Sequence, residues 1–299
     1  MKKYLFLFIL LVSLGSCTAL IIKNKVVRIA SVNNNVCKRL TGKVVLYAIF
    51  VDTKGTLPWS DFDINSTLDS IRIASQWLEN QASENKIPLD IQIAYHKNNK
   101  TIPIKKDFNG GSLTGTLFPS PLAGMIKLNK WADFIAKEAG KSFPKDTVSS
   151  TLTKNKMSDR ERLIARLRNE HKTDNVVLMY FINNYYKEEM SLTLHTGSFT
   201  DIEYCIVSFK SPAVIAHEFL HIFGALDLYF SPFDKGKTIR KRKDLIMKEF
   251  PNEIMAFAYK DLNTLNISPL TKYTIGWTNN LEDKYNQMLL GKKFKVLKY

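Results

Sequence analysis

The sequence predicts a mixed α/β (α+β) fold, and three features of the chain support this prediction. Hydrophobic residues make up 45% of the 299 residues, which is sufficient for a buried core. Runs of β-branched and aromatic residues alternate with stretches in which apolar residues recur at helical spacing. No internal repeat or low-complexity tract interrupts this alternation. We therefore expect one domain with helices packed on a sheet, rather than two independent folds.

Strands and helices are expected to alternate through the first half of this domain. Residues 43–51 are almost all β-branched or aromatic and form the first predicted strand, whereas residues 66–82 carry apolar side chains at helical spacing behind a serine cap. Residues 89–95 form the second predicted strand. Residues 159–171 form an amphipathic helix that leads into a strand at 175–182.

Between the second strand and this helix lies a stretch, residues 99–145, that is rich in turn signals. It contains the adjacent glycines Gly110 and Gly111 and the prolines Pro119 and Pro121, and it ends in a short predicted helix at about 128–139. We interpret it as an insertion. Two further extended runs, at 191–195 and 202–209, come before the most apolar helix of the chain.

The N-terminus has the pattern of an export signal. Lys2 and Lys3 form a positive region, residues 4–12 form an apolar region, and residues 14–17 form a small-residue processing site. This site resembles the lipobox of bacterial lipoproteins, in which the signal is cut before the cysteine and the cysteine then carries lipid. The resemblance implies that residues 1–17 are a signal peptide and that Cys17 anchors the protein to a membrane.

The chain after the signal is expected to consist of a tether at 18–41 and a folded domain at 42–299. In the alternative interpretation, residues 4–22 stay uncleaved as one weakly apolar membrane helix. Both interpretations put the domain outside the cytoplasm, in the cell envelope of a bacterium. In that compartment Cys37 and Cys205 could pair, although Cys205 could equally be a buried free thiol.

The chain has a formal net charge of +15, part of which is concentrated in one short stretch. The residues concerned are Lys235, Lys237, Arg240, Lys241, Arg242 and Lys243. A run of this kind is typical of a solvated loop, but it could also attract an anionic membrane surface, an envelope polymer or an acidic substrate. No nucleic-acid-binding motif accompanies it, and we expect no nucleic-acid partner.

The residues from 211 to 227 carry most of the functional information. Ser211 and Pro212 suit the start of a helix and Gly224 suits its end. From 212 to 226 the only polar side chains are His217, Glu218 and His221. A helix this apolar is buried, and buried imidazoles need partners.

A metal ion is the partner that this spacing predicts. Histidines four residues apart lie on one helix face, so His217 and His221 can bind one zinc ion while Glu218 lies beside it. Zinc with three protein ligands leaves a position for water and lowers the pKa of that water to about 7. We expect Glu218 to act as the catalytic base and to pass the proton to the leaving amine.

The run from His217 to Asp227 resembles the extended HExxHxxGxxH/D motif of metzincin metallopeptidases, with an aspartate as the third ligand as in snapalysin-like enzymes. Residues 252–255 resemble the Met-turn of the same clan, in which Met255 would lie beneath the metal. The resemblance implies a zincin-like catalytic domain, with a mixed twisted sheet and a cleft between a larger N-terminal and a smaller C-terminal subdomain. A bound peptide would then align along the edge strand, here residues 191–195.

Two residue assignments remain open from the sequence. The third metal ligand is Asp227 in the metzincin pattern, but Glu253 follows an asparagine as in thermolysin-like enzymes. We favour Asp227, because a left-handed Gly224 turns the chain back to the metal, and we expect Glu253 to be a surface residue. Tyr259 or Tyr229 is a candidate donor to the oxyanion.

The sequence thus predicts an exported, membrane-tethered zinc metalloendopeptidase with a peptide or protein substrate. One alternative is a non-catalytic, zinc-stabilised binding or adhesion lipoprotein, against which the presence of Glu218 argues. Another is a metal-dependent hydrolase of envelope polymers, which the basic segment would favour.

Overall fold

A computed structural model describes most of the domain that the sequence predicts. The described residues are 39–96, 101–104, 113–117, 120–142, 158–183, 191–194, 202–208, 210–230 and 236–289. Cys17, Cys37, Lys235 and the proposed signal and tether up to residue 38 lie outside this set. No helix among the described residues has the length and apolar composition needed to cross a bilayer.

The centre of the fold is a mixed sheet with strand order β2-β1-β4-β6-β5, in which β3 pairs with the end of β1. Its strands are β1 (Gly42–Thr53), β2 (Leu89–Tyr95), β3 (Ile102–Ile104), β4 (Asn175–Ile182), β5 (Leu192–Leu194) and β6 (Tyr204–Val207). All pairs are parallel except β5 with β6, where Thr193 lies opposite Cys205. The prediction of a mixed α/β fold is confirmed, and the run predicted at 191–195 is the edge strand β5.

Helices lie on both faces of the sheet. They are α1 (Asp61–Glu84), α2 (Leu113–Leu117), α3 (Pro121–Gly140), α4 (Asp159–His171), α5 (Pro212–Ile222), α6 (Lys237–Glu249), α7 (Ile254–Phe257), α8 (Pro269–Thr274) and α9 (Asp283–Leu289). A short 3₁₀ helix, Leu262–Thr264, follows α7. The longest helix, α1, begins at a serine cap: Ser60 accepts a hydrogen bond from the backbone N–H of Asp63, as expected for a capping box.

Alternating side chains of β1 divide the core into two layers. Leu46 and Phe50 pack into one layer with α1, α5 and the C-terminal elements, whereas Val45 and Ile49 pack into the other with α3 and α4. This explains why β1 has no polar alternation, since a strand covered on both faces is apolar throughout. Within residues 99–145, helix α3 contributes Leu128 and Ile135 to the second layer, so this segment supplies part of the core.

The basic segment is not the solvated loop that its charge indicated. From Lys237 onward it is helix α6, which turns Ile246 into the core and leaves residues 236–241 exposed. The apolar residues at 246–247 attach this helix to the core. The net charge of the segment gives no indication of this contact. Residues 236–250 of the connection between the histidine helix and Met255 therefore form an ordered surface element.

Candidate metal centre

Helix α5 positions the two histidines. Its first turn is held by Ser211, whose side chain accepts a hydrogen bond from the backbone N–H of Val214, and by Pro212 at the first helical position. The apolar residues Phe219 and Ile222 are fully buried in the layer between helix and sheet. The helix is thereby fixed in rotation, and His217 and His221 share its other face, toward the C-terminal elements.

Asp227 is brought to the histidines by a turn at Gly224. This glycine has a φ of 96°, and a Cβ at this position would lie 3.1 Å from the carbonyl oxygen of Thr274. Glycine is therefore favoured both by the backbone conformation and by the close approach of the neighbouring chain. One residue beyond Asp227, the backbone N–H of Leu228 donates to the carbonyl of Met255 at 3.0 Å, which fixes the end of the turn.

Three possible ligand atoms converge as a result. Nε2 of His217 and Nε2 of His221 are 3.1 Å apart, and they lie 3.2 and 3.0 Å from Oδ1 of Asp227. Neighbouring ligands in a tetrahedral zinc site with bonds of about 2.0 to 2.1 Å are about 3.3 Å apart. The spacing of the group fits one metal ion, and the group could hold one.

The hydrogen bonds of the other ring nitrogens determine the chemistry of this group. Nδ1 of His217 lies 3.2 Å from the carbonyl oxygen of Ile254, and Nδ1 of His221 lies 2.8 Å from that of Ala225. A carbonyl only accepts, so both Nδ1 atoms carry protons. In neutral imidazoles the two Nε2 atoms then present lone pairs to each other and to Asp227, an arrangement that requires a cation or extra protons between them.

The charges around the two histidines and Asp227 also favour a positive charge at this group. Burial lowers the pKa of His217, but the hydrogen bond to Asp227 and the charges of Glu218 and Asp227 outweigh this effect and raise it overall. Burial likewise tends to raise the pKa of Asp227, yet its hydrogen bonds and charge interactions with the two histidines hold it well below the usual range. The pocket therefore favours positive charge next to an ionised Asp227.

Glu218 has its own partner outside this group. The hydroxyl of Thr193 on the edge strand donates to Oε2 of Glu218 at 2.7 Å and also lies 3.1 Å from the sulfur of Cys205. Cys205 is a free, buried thiol that lies 3.3 Å from the backbone oxygen of Glu218, and burial raises its pKa. The sequence did not identify Thr193, because no local signal shows that β5 reaches the histidine helix.

The residue before Met255 contacts the histidine group. Met255 is fully buried at the start of the short helix α7, and the preceding residue, Ile254, provides the carbonyl that accepts from His217. A backbone carbonyl is therefore part of the site, which a sequence motif cannot reveal. The Met-turn itself stays a prediction.

The expectation that Glu253 is a surface residue is wrong. Its exposure is 0%, and its carboxylate accepts hydrogen bonds from the backbone N–H groups of Met255 and Ser268 and from the hydroxyl of Thr271. These partners lie on the turn itself and at the start of α8. Glu253 is not a member of the group that could hold a metal, and its carboxylate instead ties this turn to α8.

The two tyrosines differ in their position. The ring of Tyr229 is 6.0 Å from the ring of His217, measured between centroids, and the residue is 37% exposed. Tyr259 is 76% exposed and its ring contacts that of Phe257. Of the two candidate donors, the structure brings Tyr229 to the histidines.

Comparisons of the chain with models of protein families, with curated proteins and with solved structures found no match.

The buried carboxylate of Glu253 generates the first prediction. In Glu253→Gln the NH₂ group of the amide replaces a carboxylate oxygen that accepts hydrogen bonds from backbone N–H groups, so at least one buried donor loses its acceptor. We expect the free energy of unfolding to fall by about 2 to 4 kcal/mol. The measurement is chemical denaturation. Glu249→Gln is the matched control, because Glu249 pairs with Lys284 on the surface and the substitution should change the free energy of unfolding little. Equal denaturation midpoints for both variants would contradict this role of Glu253.

Proposed function

We propose that the chain is a zinc-dependent metalloendopeptidase of the metzincin type. The observation that carries the proposal is the convergence of two histidine lone pairs and a carboxylate within 3.2 Å, one residue from a second buried carboxylate, Glu218. The turn at Gly224, with which Asp227 returns to the histidines, supports the assignment to this clan, and Met255 is buried next to the residue whose carbonyl lies 3.2 Å from His217.

His217, His221 and Asp227 would hold the ion. Two imidazoles and one carboxylate are a donor set that zinc accepts in catalytic sites. When bound, zinc supplies a Lewis acid that polarises a carbonyl and makes water acidic near neutral pH. The hydrogen bonds from each Nδ1 to a backbone carbonyl keep both imidazoles in the tautomer that binds a metal.

Glu218 is the general base in this proposal. Its carboxylate takes a proton from the attacking water and delivers it to the leaving amine. The hydrogen bond from Thr193 holds one carboxylate oxygen and so restricts the rotation of the side chain. The charge of Glu218 acts on His217, which places it within electrostatic reach of the metal ligands.

The edge strand offers a place for the substrate backbone. In the described sheet, β5 pairs with β6 on one side only, and it carries Thr193 next to the proposed base. An extended peptide can add to such an edge through backbone hydrogen bonds. Its scissile bond would then lie close to Glu218.

The main alternative is a lipoprotein that uses the metal only for stability and binding. Such a site has no use for a carboxylate beside the ligands, whereas here Glu218 is buried and has a dedicated hydroxyl donor. We propose further that the protein is exported and carried on a bacterial membrane by lipid on Cys17, with its domain outside the cytoplasm.

Two substitutions separate metal binding from catalysis. We expect Glu218→Gln to keep one zinc ion per chain and to lose peptidase activity by roughly a hundredfold to ten-thousandfold, because the base is lost and the ligands remain. Asp227→Ala should lower zinc affinity by orders of magnitude. Zinc content and cleavage of an unstructured protein, with and without a chelator, are the measurements. Unchanged turnover in Glu218→Gln would rule out this mechanism, and a zinc-loaded wild type that cleaves nothing would favour the binding lipoprotein.

Thr193 is predicted to be a positioning residue for Glu218. Thr193→Val removes the hydroxyl donor while keeping the shape of the side chain, and we expect kcat to fall about tenfold with little change in KM or zinc affinity. Thr193→Ser restores the hydroxyl and should restore kcat. If the valine and serine variants have equal kcat, the hydrogen bond does not orient the base.

The membrane anchor is tested by Cys17→Ser. This substitution removes the thiol that would accept lipid, so the protein should leave the membrane fraction or stay unprocessed. Fractionation with mass determination is the measurement. A variant that remains membrane-bound at the wild-type mature mass would instead indicate an uncleaved helix.

A further inference from the structure

Helix α6 concentrates positive charge near the candidate metal centre. Six lysine and arginine residues occur in its 13 positions: Lys237, Arg240, Lys241, Arg242, Lys243 and Lys248. The carboxylates of the helix are Asp244 and Glu249, and Glu249 interacts with Lys284 and Tyr285 of α9. The first two turns are therefore cationic, with no acidic residue in the first turn.

This distribution of charge does not stabilise the helix. The N-terminal end of a helix favours acidic side chains and disfavours lysine and arginine. Lys237 and Lys241 are four residues apart and repel each other along one face. The N-cap is Gly236, which has no side chain to accept the first N–H groups, and Ile246 is the helix residue that is fully buried. Selection for stability alone does not explain these cations.

The position of helix α6 next to the candidate metal centre indicates a role for its positive charge. Nζ of Lys243 lies 6.0 Å from the centre of the Tyr229 ring, and this ring lies 6.0 Å from that of His217. Tyr229 is two residues beyond Asp227 in the chain. Among the residues that the structure describes, Tyr229 therefore links helix α6 to the group that could hold a metal.

We propose that α6 is a substrate-binding surface that gives the enzyme a preference for acidic polypeptides. This inference rests on the proposed peptidase function and names its substrate class. Carboxylates of a bound chain would lie over the exposed cations of the first two turns while its backbone reaches the metal centre past Tyr229. Surface charge of one sign beside a site raises the association rate of oppositely charged partners and is weakened by salt.

An anionic membrane surface is a different partner for the same charges, and the helix suits it less well. Helices that lie in a membrane interface have a wide exposed apolar stripe opposite the charged face. In α6, Ile246 is turned into the core, and the exposed Ile239 and Leu245 are six residues apart, which puts them about 120° apart around the axis. The contact with Tyr229 also directs the helix toward the site rather than toward a flat surface.

Two matched sets of substitutions test this surface in the full, zinc-loaded chain. In the first set the exposed cations of α6 become glutamine: Lys237→Gln, Arg240→Gln and Lys241→Gln. In the control set the same number of exposed lysines of α3, on the other face of the sheet, become glutamine: Lys127→Gln, Lys130→Gln and Lys137→Gln. Both sets remove equal net charge, and glutamine keeps the helix propensity.

The first measurement is the ratio of kcat/KM for two peptides, one of alternating glutamate and alanine and one with glutamine in place of glutamate. We expect wild type and the α3 variant to prefer the acidic peptide by about tenfold at low salt, and the α6 variant to lose most of this preference. Added salt should reduce the preference in wild type. Equal kcat/KM for both peptides in wild type would overturn the inference while leaving the peptidase function intact, and so would an equal loss in both variants.

The second measurement is binding without turnover. Fluorescence anisotropy of the labelled acidic peptide with Glu218→Gln reports the surface alone, and adding the α6 substitutions should weaken this binding about tenfold or more. Tight, α6-dependent binding combined with no cleavage by wild type would support the surface and contradict the peptidase function. Binding to phosphatidylglycerol vesicles that depends on α6, with no preference for the acidic peptide, would overturn the inference in favour of a membrane surface.

Discussion

The rest of the site depends on the close approach of three lone pairs, which belong to Nε2 of His217, Nε2 of His221 and Oδ1 of Asp227. Because each Nδ1 is committed to a backbone carbonyl, the Nε2 atoms have no proton to share in their neutral form. Lone pairs 3.0 to 3.2 Å apart in a buried position are unfavourable unless a cation or extra protons lie between them. The folded chain therefore holds a group that could bind a metal ion.

The scaffold that maintains this convergence is built from both sides. On one side, the apolar face of α5 packs on the sheet and fixes the rotation of the helix. On the other side, the turn at Ile254 and Met255 provides a carbonyl to His217 and receives the N–H of Leu228, just after Asp227. Glu253 holds this turn through three hydrogen bonds, and burial raises its pKa despite those donors. The carboxylate of Glu253, which is not a member of the group that could hold a metal, thus helps to align that group.

Charge is arranged around the site at two distances. Close to the ligands, Glu218 lies beside His217 and is held by Thr193 of the edge strand, which connects the proposed base to the surface where a peptide would lie. Farther out, α6 adds a positive surface that adjoins the site through Tyr229. The hydrogen bond from Thr193 orients one side chain, that of Glu218. Helix α6 would instead act on the whole charge of a substrate, because its electrostatic field extends over a Debye length.

The sequence alone determined the features that follow from local periodicity and spacing. The runs at 43–51, 89–95 and 175–182 are strands because their residues suit a sheet buried on both faces, and the helix with His217 and His221 is defined by its cap, its apolar faces and its glycine end. A spacing of four puts the histidines on one helix face whatever the fold. The positive φ of Gly224 was likewise predicted from residue type.

Only the tertiary structure decided which distant residues complete the site. Thr193 reaches Glu218 through strand pairing, and the burial of Glu253 depends on α8 packing over the turn. The basic segment is a helix because Ile246 packs into the core. The charge pattern of the segment does not indicate this contact. Each of these depends on chain segments that are far apart in sequence. Local propensity contains no information on such contacts, because packing and hydrogen bonding across the fold set their free energy.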